Sequence, residues 1–223
     1  MNQHPSQNLN FDIKRSIILA EYIKCWGVPE SRSIISISPN SIKTQHSDTV
    51  DNDSVNSEKT FVELYVFPGE DMDQVTRVAT IGLSSCKFNN DEYSNSELLM
   101  VLPFDVVEDQ LELIQHYMAK ILSHMMTLGR NIKPEEIIPE NQVAGSESVP
   151  LGWPRALLFD EPRGEPNELN YFHIGSQHIT LSWVVPIFDS EYDLIKSNGI
   201  EAFDTAVNDA EISLVEVRRD ACV

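Results

Sequence analysis

The chain has 223 residues, 41% of them hydrophobic, and carries 35 acidic against 16 basic side chains, a formal charge of −19. That length allows one ordinary domain or at most two small ones, and the apolar content excludes global disorder. The charge argues against nucleic acid and anionic membranes as partners, and no apolar stretch approaches the roughly twenty residues that cross a bilayer.

Residues 1–10 are polar and read as a flexible N-terminal tail ahead of a domain spanning 11–223. From Phe11 the pattern turns helical: Ile13, Ile17, Ala20 and Ile23 or Lys24 fall on neighbouring turns, with Ile18 and Tyr22 widening the apolar face. Gly27 and Pro29 end that helix. Glu21 and Lys24 interrupt the apolar run at 16–26, and no basic region precedes it, so no signal peptide is expected. The three scattered cysteines, Cys25, Cys86 and Cys222, suggest no disulfide framework and point to a reducing cytoplasm.

Residues 33–38 read as a short strand, and the Ser/Asn/Asp-rich stretch at about 40–57 as a mobile polar loop. Strands are expected at 60–67, 76–83 and 97–102. Gly69 with Glu70 and Asp71 turns the first pair, and the Asn89-Asn90-Asp91-Glu92 cluster connects the second to the third. The strongest helix covers 108–128, where Leu111, Ile114, Met118, Ile121, Leu122, Met125 and Leu128 keep the three-four spacing of a core stripe. Four prolines make 130–155 a long tethered connection. Strands at 156–159 and 179–185 bracket a turn-rich segment. Pro186 cannot donate to a ladder and should stop its strand. Helices at 190–198 and 200–208 follow, the first capped by Asp189 or Ser190 and closed by a left-handed Asn198-Gly199, with a final strand at 212–217. Strands and helices do not alternate strictly, so the fold class is α+β: one domain with a mixed or antiparallel sheet flanked by helices.

The segment from 179 to 203, with its VVPI…SE…NG order, resembles the C-terminal signature of the Suppressor of fused-like family. Residues 62–68 (VELYVFP), followed by Thr80-Ile81-Gly82-Leu83-Ser84, resemble the family's strand pair ending in a T-x-G-[ML]-S turn. Residues 97–103 (ELLMVLP) resemble its next strand. The likeness extends over roughly 11–220. It implies a binding module: eukaryotic members sequester a transcription factor by strand addition, and many bacterial members stand beside polymorphic toxins as immunity proteins.

Catalysis finds little support in the residues. Gly82-Leu83-Ser84-Ser85-Cys86 lacks the second glycine of a nucleophile elbow, so Ser84 reads as a turn serine bonding its own backbone. Cys86 reads as a small buried hydrophobe. His116 and His124 lie about 80° apart round their helix, and the odd separation of His173 and His178 would turn them to opposite faces of one strand. No phosphate loop is present among the nine glycines. No enzyme activity, metal or cofactor is expected.

The acidity is uneven. Between Phe88 and Ala119 lie seven carboxylates and no Lys or Arg. Such a surface favours a cationic partner, although acidity also serves solubility alone. The implied function is neutralisation of a cognate, basic toxin by direct protein contact, and the alternative is a regulatory module that sequesters a partner by peptide or strand capture. The first-choice contacts are Glu70, Asp71, Asp91, Glu92 and Glu97, expected on turns between central strands; Asp48, Asp51 and Asp53 come second.

Overall fold

The computed structural model describes residues 5–37, 60–69, 75–88, 90, 92–143 and 149–223. The loop at about 40–57 lies outside them. Helix α1 (Pro5–Trp26) has its backbone start inside the segment assigned to the tail. Strands β1 (Ser31–Ile37), β2 (Thr60–Pro68), β3 (Val75–Ile81) and β4 (Ser96–Pro103) follow, then helix α2 (Phe104–Leu128), β5 (Glu136–Ile138) and a one-turn α3 (Glu140–Val143). The C-terminal part holds β6 (Ala156–Asp160), β7 (Tyr171–Ile174), β8 (Gln177–Ile187), α4 (Asp189–Asn198) and α5 (Ile200–Asp209). This is the α+β domain that the sequence implies.

One mixed sheet organises the chain, in the order β1-β2-β3-β4-β8-β6-β5, with β7 also paired to β8. Every pairing is antiparallel except β4 with β8, which run parallel from Ser96↔Thr180 to Leu99↔Trp183. Helices cover both faces, so central strands must be apolar on both sides. That explains β4 and β6, buried along nearly their whole length. On one face Leu64, Val78, Leu98, Met100 and Val184 meet Ile114, Met118, Ile121 and Met125 of α2. On the other, Phe67, Leu99, Leu181, Trp183 and Val185 meet Ile18, Tyr22 and Trp26 of α1, with Ile195 of α4 and Phe203 of α5.

Several elements depart from the sequence reading for identifiable reasons. β8 runs through Pro186, which pairs with Leu157. The ladder to β4 ends at Trp183, so one side of the strand has nothing for the missing N–H to reach. The expected strand at 212–217 does not form; these residues make turns, with only Val217 driven into the core. The connection at 130–155 contains β5 and α3. Helix α4 takes no side-chain cap from Asp189 or Ser190: the Phe188 amide donates to the Glu191 carboxylate at 2.9 Å, and the Ser190 hydroxyl donates to the Val223 carbonyl at 3.0 Å. Gly199 does close α4, but at φ 87° and ψ 173°, an extended conformation with positive φ rather than the left-handed helical one.

Helix α1 is rotated from the expected orientation. Its buried stripe is Lys14, Ile18, Tyr22 and Trp26, while Ile13 is 47% exposed and Ile17 38%. The anchors are polar as well as apolar. Lys14 Nζ donates to the Ser84 carbonyl at 2.9 Å, and Arg15 Nε to the Glu63 carboxylate at 2.6 Å. The Tyr22 hydroxyl donates to the Thr80 carbonyl at 3.2 Å, and Trp26 Nε1 to Glu165 at 2.6 Å.

Candidate functional site

The T-I-G-L-S turn after β3 has a structural task. Gly82, at φ 112°, folds the chain so that successive backbone N–H groups converge. The Glu97 carboxylate sits among them. Its Oε1 accepts from the Gly82 amide (3.0 Å), the Ser84 amide (3.0 Å) and the Ser84 hydroxyl (2.7 Å). Its Oε2 accepts from the Thr80 hydroxyl (2.8 Å) and the Leu83 amide (3.2 Å). Burial pushes this carboxyl above its ordinary range, against the opposing pull of the Ser84, Thr80 and Gly82 donors. Burial likewise lowers the ammonium of Lys14, which the neighbouring Glu97 charge partly offsets.

Two readings change here. Ser84 gives its hydroxyl to Glu97 rather than to its own backbone. Glu97 is completely buried inside β4, not on a turn, so no partner reaches it in this conformation. A charged residue in an apolar run was the available signal, since a buried charge needs dedicated donors. Of the other candidates, Glu92 is exposed and bonded through its amide and carboxylate to Asn90. Glu70, Asp71 and Asp91, and the second-choice Asp48, Asp51 and Asp53, lie outside the described residues. Cys86 is buried, and burial pushes its thiol far up. Among the described residues no three His, Cys, Asp or Glu side chains gather as a metal cluster.

His173 and His178 do not lie on one strand. They occupy β7 and β8, registered directly opposite each other across a hairpin, with ring centroids 4.4 Å apart. The Gly175-Ser176 turn between them reverses the chain and brings them to one face.

A surface with capacity for recognition lies where the sequence reading does not point. The exposed Ile17 of α1 borders a groove of about 510 Å³ between that helix and β7. Ile17, Phe172, Tyr171 and His173 line it, and Glu21, Lys24 and Glu168 charge its margin. Lys24 is tied to Glu21 at 3.2 Å, which leaves the margin net acidic. Tyr171 is 54% exposed, an aromatic of the kind that anchors protein contacts. A second feature is the outer edge of β1, which pairs with no strand other than β2 among the described residues.

Comparison with known proteins agrees with this architecture. The family model described as Suppressor of fused protein (SUFU) matches residues 59–220. No curated protein is significantly similar to the chain. A SUFU homolog from Neisseria gonorrhoeae FA 1090 shares the fold at a TM-score of 0.62 and 15% identity, over 95% of this chain and 98% of that one. The Sufu–Fu complex matches at 0.56 and 12% identity, over 94% of this chain and 91% of that one. Drosophila Suppressor of Fused matches at 0.52 and 15% identity, over 73% of this chain but 42% of that longer one.

Proposed function

This chain belongs to the Suppressor of fused family, and from that membership we propose that it is a protein-binding module whose partner is a basic, cognate toxin, which it neutralises in the cytoplasm by direct contact. The observation that carries the reading is the unspent apolar face of α1 beside an acid-rimmed groove, on a chain of formal charge −19. A fold that leaves Ile17 uncovered in one groove with Tyr171 offers a partner apolar anchorage. The surrounding carboxylates steer a cationic protein to it. The reading is not enzymatic: the serine of the T-I-G-L-S turn is consumed by Glu97.

The test is co-expression with the product of the neighbouring reading frame, followed by co-purification and a growth-rescue assay. Wild-type chain should rescue growth and co-purify, and Ile17→Glu combined with Tyr171→Ala should do neither while remaining folded. No complex with the wild-type chain would end the immunity reading. The outer edge of β1, unpaired among the described residues, favours the second reading, a regulatory module that captures an extended segment by strand addition. In that case binding would survive the groove variant and fail when Ile34→Pro breaks the β1 edge.

A further inference from the structure

We propose that His173 and His178 form a two-imidazole chelate for one late first-row divalent metal ion, such as Ni²⁺, Cu²⁺ or Zn²⁺. This goes beyond the binding reading and departs from the expectation of no metal.

The geometry follows from the hairpin. Gly175 and Ser176 make a two-residue turn, so the flanking pair Ile174↔Gln177 is hydrogen-bonded and the next pair, His173↔His178, is not. The Leu181 amide donating to the Asn170 carbonyl at 3.1 Å fits the same alternation, four pairs beyond Ile174↔Gln177. Non-hydrogen-bonded partners are the closer kind, with Cα atoms about 4.5 Å apart and side chains projecting from one face. The two rings meet edge to face at 80°. Both histidines are exposed, so their nitrogens are open to solvent ions.

Two imidazole nitrogens bound to one metal at about 2.0–2.1 Å stand roughly 3 Å apart, which small χ rotations reach from the observed ring separation. Tyr171 packs on His173 with centroids 5.2 Å apart and limits how far that ring can turn. Imidazole suits zinc, nickel and copper, and affinity should rise from nickel to copper. No third protein ligand completes the site among the described residues. Water fills the remaining positions, or a donor on whatever occupies the groove that His173 also lines.

Protein without an affinity tag should be titrated with Ni²⁺, Cu²⁺ and Zn²⁺ by calorimetry and by histidine NMR. The expected result is one saturable site per chain, with paramagnetic Ni²⁺ broadening the His173 and His178 ring signals together. Because the second bond forms at high effective concentration, His173→Ala or His178→Ala alone should lower affinity on the order of 10–100-fold. The double variant should lose little more, and His116→Ala should change nothing. Absence of saturable binding below the millimolar range would overturn the proposal. So would single variants that each keep wild-type affinity, or a loss of binding in His116→Ala. Unchanged circular dichroism in the variants separates loss of a ligand from loss of the hairpin.

Discussion

Glu97 accepts two hydrogen bonds from Ser84, one from its amide at 3.0 Å and one from its hydroxyl at 2.7 Å, so a strand residue and a turn residue close a single polar unit. Thr80 completes the bracket. Its hydroxyl donates to Glu97 at 2.8 Å while accepting the Leu98 amide at 2.8 Å. The T-x-G-L-S motif is thereby explained as a carboxylate receptor within the sheet. Threonine and serine give hydroxyls, and glycine permits the turn that aims the amides.

Glu97→Ala would orphan three amides and two hydroxyls in a dry site and should cost about 4 kcal/mol or more. Glu97→Gln keeps the volume but turns an N–H₂ toward donors, and should cost about 2–4 kcal/mol. Ser84→Ala removes one bond to a buried carboxyl and should cost about 1.5–3 kcal/mol. Exposed Glu92→Ala should stay within about 0.5 kcal/mol. Urea unfolding of the four variants measures the series, and an equal cost for Glu92→Ala and Glu97→Gln would refute the assignment.

The Glu191–Arg219 pair predicts acid sensitivity. Burial alone would push the Glu191 carboxyl up. The Arg219 guanidinium at 2.8 Å, with the amides of Phe188 and Cys222, outweighs burial and holds it below its ordinary range. Its stabilising effect is complete above the unfolded-chain value of about 4.3 and disappears as pH falls through the lower folded value. Thermal melts from pH 6 down to 2.5 should therefore show a loss that Glu191→Gln lacks. Arg219→Ala, which strands a buried carboxylate, should cost about 3–5 kcal/mol near neutral pH.

The rotation of α1 is measurable through neighbouring isoleucines. Ile18→Ala, in the core, should cost about 2–4 kcal/mol, and Ile17→Ala, beside the groove, no more than about 0.5 kcal/mol. Denaturant midpoints decide it: reversed costs would place the expected Ile13–Ile17 face inward after all.

Thiol labelling should separate the cysteines. Cys25 and Cys222 are half-buried, and burial raises both thiols, Cys222 to about 11. Slow alkylation of these two is expected in the native protein at neutral pH. Cys86, fully enclosed and with its Sγ 3.2 Å from the Gly82 carbonyl, should react only on unfolding. Peptide mass spectrometry after timed iodoacetamide exposure reads all three positions.

What was legible follows from how far each signal was local. Helix α2 and strands β2 to β4 carry long apolar patterns, and their positions follow from those residues alone. Helix α1 carries two overlapping apolar stripes at helical spacing. The stripe from Ile13 reads as the longer, since Lys14, which spends its charge inside, counts as polar in any pattern. β7 has four residues and depends on its hairpin partner, so it left no periodicity to read. Residues 212–217 are mostly apolar and read as a strand, yet Leu214, Val215 and Val217 spend their side chains against the core from turns instead of joining a ladder. The pairing of His173 with His178 was hidden for the same reason, since their distance depends on a turn between two strands rather than on spacing along one.

The parallel junction of β4 with β8 also dictates an order of assembly. Ser96 and Thr180, whose hydroxyls lie 3.1 Å apart, are 84 positions apart in the chain. A ribosome therefore delivers β1 to β4 well before the strand that completes the sheet. Until β8 emerges, the flank of β4 from Ser96 to Leu99 is a bare edge in an apolar strand, the kind that pairs indiscriminately with other chains. Such distant pairing is slow. A nascent chain halted after α2 should partition to aggregates or chaperones, and permuting the gene so that β8 precedes β4 should shorten that vulnerable interval.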